Sequence, residues 1–366
     1  MSKPRIIALY LPQYHPFPEN DEWWGKGFTE WTSVARAKPL FKGHYQPKIP
    51  ADLGFYDLRL PIVREQQAVL ARQAGIEGFC YWHYWFGNGK QLMADIIDEV
   101  IATGKPDFPF CLGWANHSWY AKNWNTKDSG KKDKLLIEQT FPGDEDIRKH
   151  YEYALKAFKD SRYIKVGNKP FFMIYLADKI PSNFIELWNL WAREDGFDGI
   201  YFVGNVDAQE DANEYTAKGF SAVIKNRMKA QVFANSISQR KSLLRLFEKL
   251  YNRMTGRPDN LFHYKDCIKA FLDTNDDNRE DVIPCIIPNF DHSPRSGANG
   301  YIIKDSTPDL FKEHAAQVLK TVENKKNKIV LLRSWNEWGE GNYMEPDLQF
   351  KDGYLRSLRS VVDSYK

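Results

Sequence analysis

Short apolar runs alternate with amphipathic helical patterns from one end of the chain to the other. The runs Arg5–Tyr10, Gly78–Tyr84, Phe108–Trp114, Phe171–Tyr175, Ile200–Gly204, Ala222–Ile224, Val282–Pro288 and Ile329–Ser334 are too short for helices and read as buried strands. Between them, apolar residues recur at helical spacing over Pro61–Ala74, Gln91–Thr103, Asp144–Lys159, Ser182–Glu194, Ala208–Lys218, Tyr264–Leu272 and Pro308–Val322, and after the last strand over Tyr354–Tyr365. Eight strand–helix pairs predict an α/β fold, and specifically a (β/α)8 TIM barrel rather than an open doubly wound sheet. Such a barrel accommodates residues 1–366 as a single catalytic domain.

The alternation is interrupted twice. The first βα loop, Leu11 to Pro61, is long and carries aromatic anchors at Trp23, Trp24, Phe28, Trp31 and Phe41, which argue against disorder. It is expected to fold over the barrel mouth, the plainer alternative being packing on the floor or side. A second, basic helical insertion falls between strands 6 and 7. Over 240–257, Leu243, Leu244, Leu246, Phe247, Leu250, Tyr251 and Met254 form one apolar face opposite a basic one. Peripheral contact with an anionic membrane fits that profile, and so does a helix packed on the barrel with a solvated basic face.

Composition narrows the partners. The net charge of +3 gives no global signal for nucleic acid, and there is no apolar run of about 18 residues to span a bilayer. The first apolar run is too short for a signal peptide, so a cytoplasmic location is expected, with the insertion as the candidate contact to the inner membrane. Cys80, Cys111, Cys267 and Cys285 show no metal or redox spacing and read as free thiols. Aromatic content is 15%, with 12 Trp, 19 Tyr and 23 Phe. Rings beside His, Asn and Glu suit sugars, whose C–H faces stack on aromatics while their hydroxyls need polar partners.

In a TIM barrel, functional side chains sit at the C-terminal ends of the strands. Those ends carry Tyr10, Gln13 and His15; Tyr81, His83 and Trp85; Trp114 and Asn116; Tyr175; Asn205; and Asn289. With Trp31 of the first loop, these are the candidate substrate-binding residues. Strand 8 leads into Trp335-Asn336-Glu337-Trp338-Gly339-Glu340-Gly341, which adds Trp335 and Asn336 to the binding set and offers Glu337 and Glu340 as the catalytic pair. In an extended chain two carboxylates at this spacing lie roughly 10 Å apart; a bend brings them to roughly 5–6 Å. The shorter distance suits a retaining glycosidase and the longer an inverting one, and Gly339 makes the bend easy. An isolated Glu-x-x-Glu more often pairs with cations, but its place at a strand-8 terminus among tryptophans favours chemistry.

Taken together, Ser334–Gly341 with Glu345-Pro346, Ala8–His15, Gly27-Phe28-Thr29-Glu30-Trp31 and Phe79–Phe86 resemble the WbsX family, assigned to glycosyl transfer in lipopolysaccharide O-antigen and capsule loci. That family is in turn similar to glycoside hydrolase family 99, the endo-α-mannosidases and endo-α-mannanases. The resemblance covers almost the whole chain. It implies a barrel and retention at an α-glycoside, with no metal or other cofactor, through a 1,2-anhydro sugar. By that resemblance Glu337 takes the substrate 2-hydroxyl proton, and Glu340 protonates the departing oxygen and later activates water. Where the family pattern at strand 3 reads Trp-Ala-Asn-Glu, this chain has Trp114-Ala115-Asn116-His117, a departure that bears on the substrate sub-class.

The remaining motifs read as structural. His15, His83 and His117 lack metal-ligand spacing, and hydrogen bonding accounts for them better. Asp273–Asn278 lacks the turn glycine and closing glutamate of a calcium loop and is expected to be a solvated loop, while Asp144-Glu145-Asp146 suits a helix N-terminus. No phosphate-cradling glycine motif follows a strand. Three functions therefore stay open: cleavage of an α-linked bacterial surface oligo- or polysaccharide with retention, glycosyl transfer in O-antigen or capsule synthesis, and a non-catalytic glycan-binding barrel.

Overall fold

The computed structural model describes residues 3–121, 134–228, 250, 252 and 254–365. Its main sheet contains β1 (Arg5–Tyr10), β2 (Gly78–Trp85), β3 (Phe110–Trp114), β4 (Lys169–Ile174), β5 (Tyr201–Asp207), β6 (Ala222–Asn226), β7 (Cys285–Ile286) and β8 (Ile329–Leu332). They run in the order β6-β5-β4-β3-β2-β1-β8-β7, with every neighbouring pair parallel. Val223 and Val282 form a further parallel bridge in which Val223 N–H donates to Asp281 O at 2.9 Å and Ile283 N–H donates to Val223 O at 2.8 Å. That bridge joins β6 to the chain entering β7 and brings the sheet round to a barrel, as the eight-fold alternation predicts.

The outer helices are α1 (Pro61–Ala74), α2 (Ala94–Thr103), α3 (Asp144–Phe158), α4 (Phe184–Glu194), α5 (Ala212–Ala217), α6 (Tyr264–Phe271), α7 (Pro308–Val322) and α8 (Gly353–Asp363). Their ends follow local chemistry. Proline opens α1, where a missing N–H costs nothing, and Gly75 closes it at φ 86°, a left-handed conformation that also lets Val362 of α8 approach closely. Asp144, Glu145 and Asp146 occupy the first turn of α3, as expected for acids facing a helix N-terminus. Strand residues such as Ile6, Ile7, Ala8 and Val330 are fully buried between the barrel interior and these helices, each large side chain contributing about 1.5–3 kcal/mol.

Several boundaries differ from the sequence expectation. Helix α2 starts at Ala94, because Gln91–Leu92 instead pairs antiparallel with Tyr84–Trp85. Strand β7 contracts to two residues. The chain after β6 and β7 also builds an unforeseen three-stranded sheet from Asn260–His263, Tyr301–Lys304 and Phe290–Asp291. Asp273–Asn278 is not a solvated loop: Asp277 is buried against Arg227 at 2.6 Å, and Asp276 reaches Lys225 at 2.7 Å. The apolar and basic faces assigned to 240–257 fall largely outside the described residues. Among the described residues, no helix is long and apolar enough to cross a membrane. All four cysteines are free.

The first loop does meet the end of β8. It forms two short helices, Pro18–Trp24 and Glu30–Arg36, then runs beside the segment after the glutamate motif. There Ala51 N–H donates to Pro346 O and Leu348 N–H to Ile49 O, both at 2.9 Å.

Candidate active site

Beyond β8 the chain forms a miniature hairpin. Asn336–Glu337 pairs antiparallel with Asn342–Tyr343, and one 3₁₀ turn, Trp338–Glu340, connects them. Side chains three residues apart eclipse one another in such a turn, which sets Glu337 and Glu340 on one side. Gly341 closes the turn at φ 54°, the left-handed region that favours glycine. Gly339 has a different role from the bend expected of it. A Cβ there would collide with the Glu30 carboxylate and approach Arg295 Nε to 2.8 Å, so its bare backbone makes room for those two groups.

The hairpin is fixed from below. Asn336, fully buried, accepts from Leu11 N–H at 2.8 Å and donates to Leu11 O at 3.0 Å, tying the end of β8 to that of β1. The Tyr14 hydroxyl donates to Asn336 O at 2.5 Å and accepts from Trp338 N–H at 2.9 Å, gripping the backbone on both sides of Glu337. Trp338 stacks on Tyr343 with centroids 3.7 Å apart and donates its indole N–H to Glu345 Oε2 at 2.6 Å. Glu345 also accepts from Tyr56 at 2.8 Å and Gln67 at 2.7 Å. Burial raises the Glu345 carboxyl to about 7 despite those donors.

Arg295 organises the carboxylates. It sits on a short helix, Ser293–Ser296, launched by the added sheet. Its guanidinium lies 2.7 Å from Glu340 Oε1 and 3.5 Å from Glu337 Oε2, and Glu30 Oε2 accepts from both Nη2 at 2.9 Å and Nε at 3.1 Å. Arg295 thus faces three carboxylates, with the Arg333 charge also acting on Glu337, and uptake of a proton eases the remaining negative excess. Burial first, then the adjacent charge of Glu340, raises the Glu337 carboxyl well above the usual range, with Arg295 opposing. His292 Nε2 stands 3.8 Å from Glu340. The Tyr84 phenol, raised by burial and next by the charge of Glu337, accepts from Gln13 Nε2 at 3.1 Å. Tyr175 also feels both glutamates and packs edge-on against Trp82 at 5.6 Å.

Of the expected binding residues, Gln13 and Tyr175 therefore lie in the electrostatic neighbourhood of the pair. Asn205 lies beside Tyr175, donating to its carbonyl at 3.0 Å. The odd-numbered residues of β2 do not face the mouth. His83 meets His150 of α3 at 2.9 Å, Trp85 stacks on His150 with centroids 4.8 Å apart, and Tyr81 packs on Tyr10, whose hydroxyl donates to Gln67 of α1 at 2.6 Å. Trp114 lies in the same layer against Phe184 of α4. These five side chains join barrel to helices, and burial lowers the His83 imidazole to about 3, keeping it neutral. Because side chains alternate along a strand, the mouth receives Trp82 and Tyr84 instead.

Most of the other candidates are taken up by contacts within the protein. Trp31 packs on Trp338 and donates to Tyr56 O at 2.7 Å, and Trp335 is fully buried against Phe79. Asn116 spends both ends of its amide on the Leu176 backbone, at 2.7 and 2.9 Å. His15 lies 3.5 Å from Asp95, and His117 packs on Tyr175, so the three histidines do not converge. Asn289 lines a separate cavity. Sequence reasoning missed Arg295 and the role of Glu30. No local signal marks Arg295; the uncompensated acids in the mouth called for a cation of unknown position.

The sequence profile of the family described as Glycosyltransferase WbsX matches residues 6–358, and the chain belongs to that family. Two relatives from Xanthomonas campestris pv. campestris, in strains B100 and ATCC 33913, each described as an uncharacterized protein WxcX, are 32% and 33% identical over 98% of this chain. The match covers 49% of each, so the chain spans about half the length of these curated relatives. Among solved structures, a glycoside hydrolase-like protein superposes with a TM-score of 0.62 at 16% identity, covering 99% of this chain and 94% of that one. The GH99 endo-alpha-mannosidase from Bacteroides thetaiotaomicron superposes with a TM-score of 0.57 at 14% identity, covering 99% and 97%. These two likenesses show the shared barrel fold. The family places the chain among carbohydrate-active enzymes.

Proposed function

We propose that this WbsX-family chain cleaves an α-linked glycan of a bacterial surface with retention, using Glu337 and Glu340 as its acid–base pair. The observation that carries this reading is the convergence of both carboxylates, from one 3₁₀ turn at the end of β8, on the single guanidinium of Arg295. Two carboxylates held by one cation can divide a proton between them, which acid–base work on the 2-hydroxyl and on the departing oxygen of one glycoside requires.

The chemistry needs one proton in the pair. That proton rests by preference on Glu337, which is the more buried, while Glu340 meets Arg295 directly. When a glycoside enters, the shared proton passes to Glu340 and Glu337 is left as the base. Glu337 then removes the 2-hydroxyl proton, O2 attacks C1, and Glu340 delivers its proton to the departing glycosidic oxygen. Water, deprotonated by Glu340, opens the resulting 1,2-anhydro sugar at C1, and Glu337 returns a proton to O2. Each glutamate ends in the protonation state it held once the glycoside had entered, the shared proton returns to Glu337 as product leaves, and the two inversions give net retention.

The aromatic rings leading out of the mouth support an extended substrate. Tyr84 lies 5.2 Å from Trp119, which lies 6.0 Å from Trp23, and both tryptophans are partly exposed. The contacts are edge-to-face, and each partly exposed tryptophan has a ring face on which a sugar can stack. The family's own description, a glycosyltransferase, favours a second reading, which uses the same carboxylates with a nucleotide- or lipid-linked donor; the resemblance noted in the sequence implies O-antigen or capsule synthesis as its setting. Incubating the purified protein with bacterial surface glycans and with nucleotide sugars separates the two. New reducing ends without nucleotide support cleavage, whereas nucleotide release with a lengthened acceptor supports transfer and overturns our reading.

A further inference from the structure

Behind the catalytic hairpin lies a cavity of about 340 Å³ whose walls come from the first loop, the segment after β7 and the segment after β8. None of Glu30, Arg295, Glu337 or Glu340 lines it. Gly341 and Asp291 separate it from the catalytic pair: a Cβ at 341 would meet Lys48 Nζ at 2.5 Å and Asp291 Cβ at 2.8 Å, so the hairpin backbone itself forms the partition. The Asp291 carboxylate is already committed, to His44 at 2.8 Å, Gln46 at 2.6 Å and Ser293 N–H at 3.0 Å.

What faces the cavity is a mixture of ring surfaces and underused polar groups. Tyr45, Tyr343, Phe350 and Tyr354 contribute aromatic surface. Asn289 is 6% exposed; its side chain hydrogen-bonds the Tyr354 phenol, but its amide oxygen has no hydrogen-bond donor among the described residues. A buried acceptor without a donor is unfavourable, and a ligand hydroxyl would relieve it. Across the cavity the Lys48 ammonium makes one long bond, to Gly341 O at 3.4 Å, leaving N–H capacity for a ligand oxygen. We infer that this cavity is a second carbohydrate site, distinct from the catalytic cleft, that holds one neutral pyranose residue.

The volume lies at the small end of the range for ligand pockets, roughly 300–1,000 Å³, which suits one sugar ring. Aromatic faces with both a donor and an acceptor match the amphipathic surface of a pyranose. The charge balance decides against an anion: Lys48 and Lys304 are offset by Asp291, Asp305 and Asp347 on the same walls. Since the cavity shares the hairpin with the catalytic pair, occupancy of one site bears on a wall of the other. The inference rests on the carbohydrate reading of the chain, not on cleavage by Glu337 and Glu340.

The test is ligand-observed saturation-transfer NMR on the full chain carrying Glu337→Gln, with free mannose, glucose, galactose, rhamnose and N-acetylglucosamine, and with inorganic phosphate as the anionic probe. Asn289→Leu removes the acceptor at similar volume, and Gln349→Trp plugs the cavity from an exposed position. At least one sugar is expected to give a signal that falls by about five-fold or more in each variant, with phosphate giving none. A sugar signal unchanged in both variants, no signal from any sugar, or binding of phosphate alone overturns the inference. Failure of the cleavage reading shows up separately, as sugar binding sensitive to Asn289→Leu in a protein that cleaves no glycan.

Discussion

A single oxygen of Glu30 accepts two hydrogen bonds from Arg295, at 2.9 Å from Nη2 and 3.1 Å from Nε, and so leaves Nη1 to meet Glu340 at 2.7 Å, with Glu337 3.5 Å from Nη2. Glu30 comes from the first loop and Arg295 from the segment after β7. Two excursions of the barrel thus meet over the end of β8 to hold its charges.

Removing the cation leaves three carboxylates facing one another. Arg295→Met is expected to cost about 2–4 kcal/mol at pH 7, read by urea unfolding, and less at pH 5, where the acids take up protons. A loss independent of pH would mean that Arg295 contributes through packing alone.

Gly339→Ala puts a methyl group where the Glu30 carboxylate and Arg295 Nε now lie. The clamp should shift by several tenths of an ångström, lowering kcat by about 10–100-fold with little change in Tm. Wild-type kcat in this variant would show that the clamp tolerates displacement.

Glu345 supplies a pH signature. Its folded value of about 7 lies above the unfolded 4.5, so the folded chain holds more protons between those limits. Stability therefore falls as pH rises from about 4.5 through 7 and levels off above, by at most about 3 kcal/mol for this group. Tm measured from pH 4 to 8 should decline along that course in the wild type. Glu345→Gln should flatten the decline, the residue of it belonging to Glu337, whose carboxyl is raised in the same sense.

The facing of β2 is testable by pairs of variants. Tyr84→Phe, in the mouth, should lower kcat/KM for the glycan by about 5–50-fold at near-normal Tm. His83→Leu, in the helix layer, should cost about 1–3 kcal/mol in stability while leaving KM near wild type. The opposite pattern would place the odd-numbered side chains in the mouth.

The barrel was legible because eight apolar runs and their intervening helices impose one topology. The placement of Glu337 and Glu340 together at the end of β8 was legible because that strand could be read directly into its motif. The phase of β2 was not, since Gly78–Trp85 is aromatic or apolar at almost every position and offers no alternation to mark a face. Arg295 was invisible for another reason. Its relation to Glu340 spans 45 residues and depends on a small sheet whose strands are too short to announce themselves.

The central claim, that Glu337 and Glu340 divide base and acid work on an α-glycoside, is tested most directly by leaving-group dependence. The rates of Glu337→Gln and Glu340→Gln are compared on the natural glycan and on an aryl α-glycoside of the same sugar with an activated leaving group. A good leaving group needs no proton, so Glu340→Gln should be inactive on the glycan and regain cleavage of the aryl substrate, while Glu337→Gln stays inactive on both. Wild-type rates in both variants on the natural glycan, or rescue of Glu337→Gln in place of Glu340→Gln, would contradict the account.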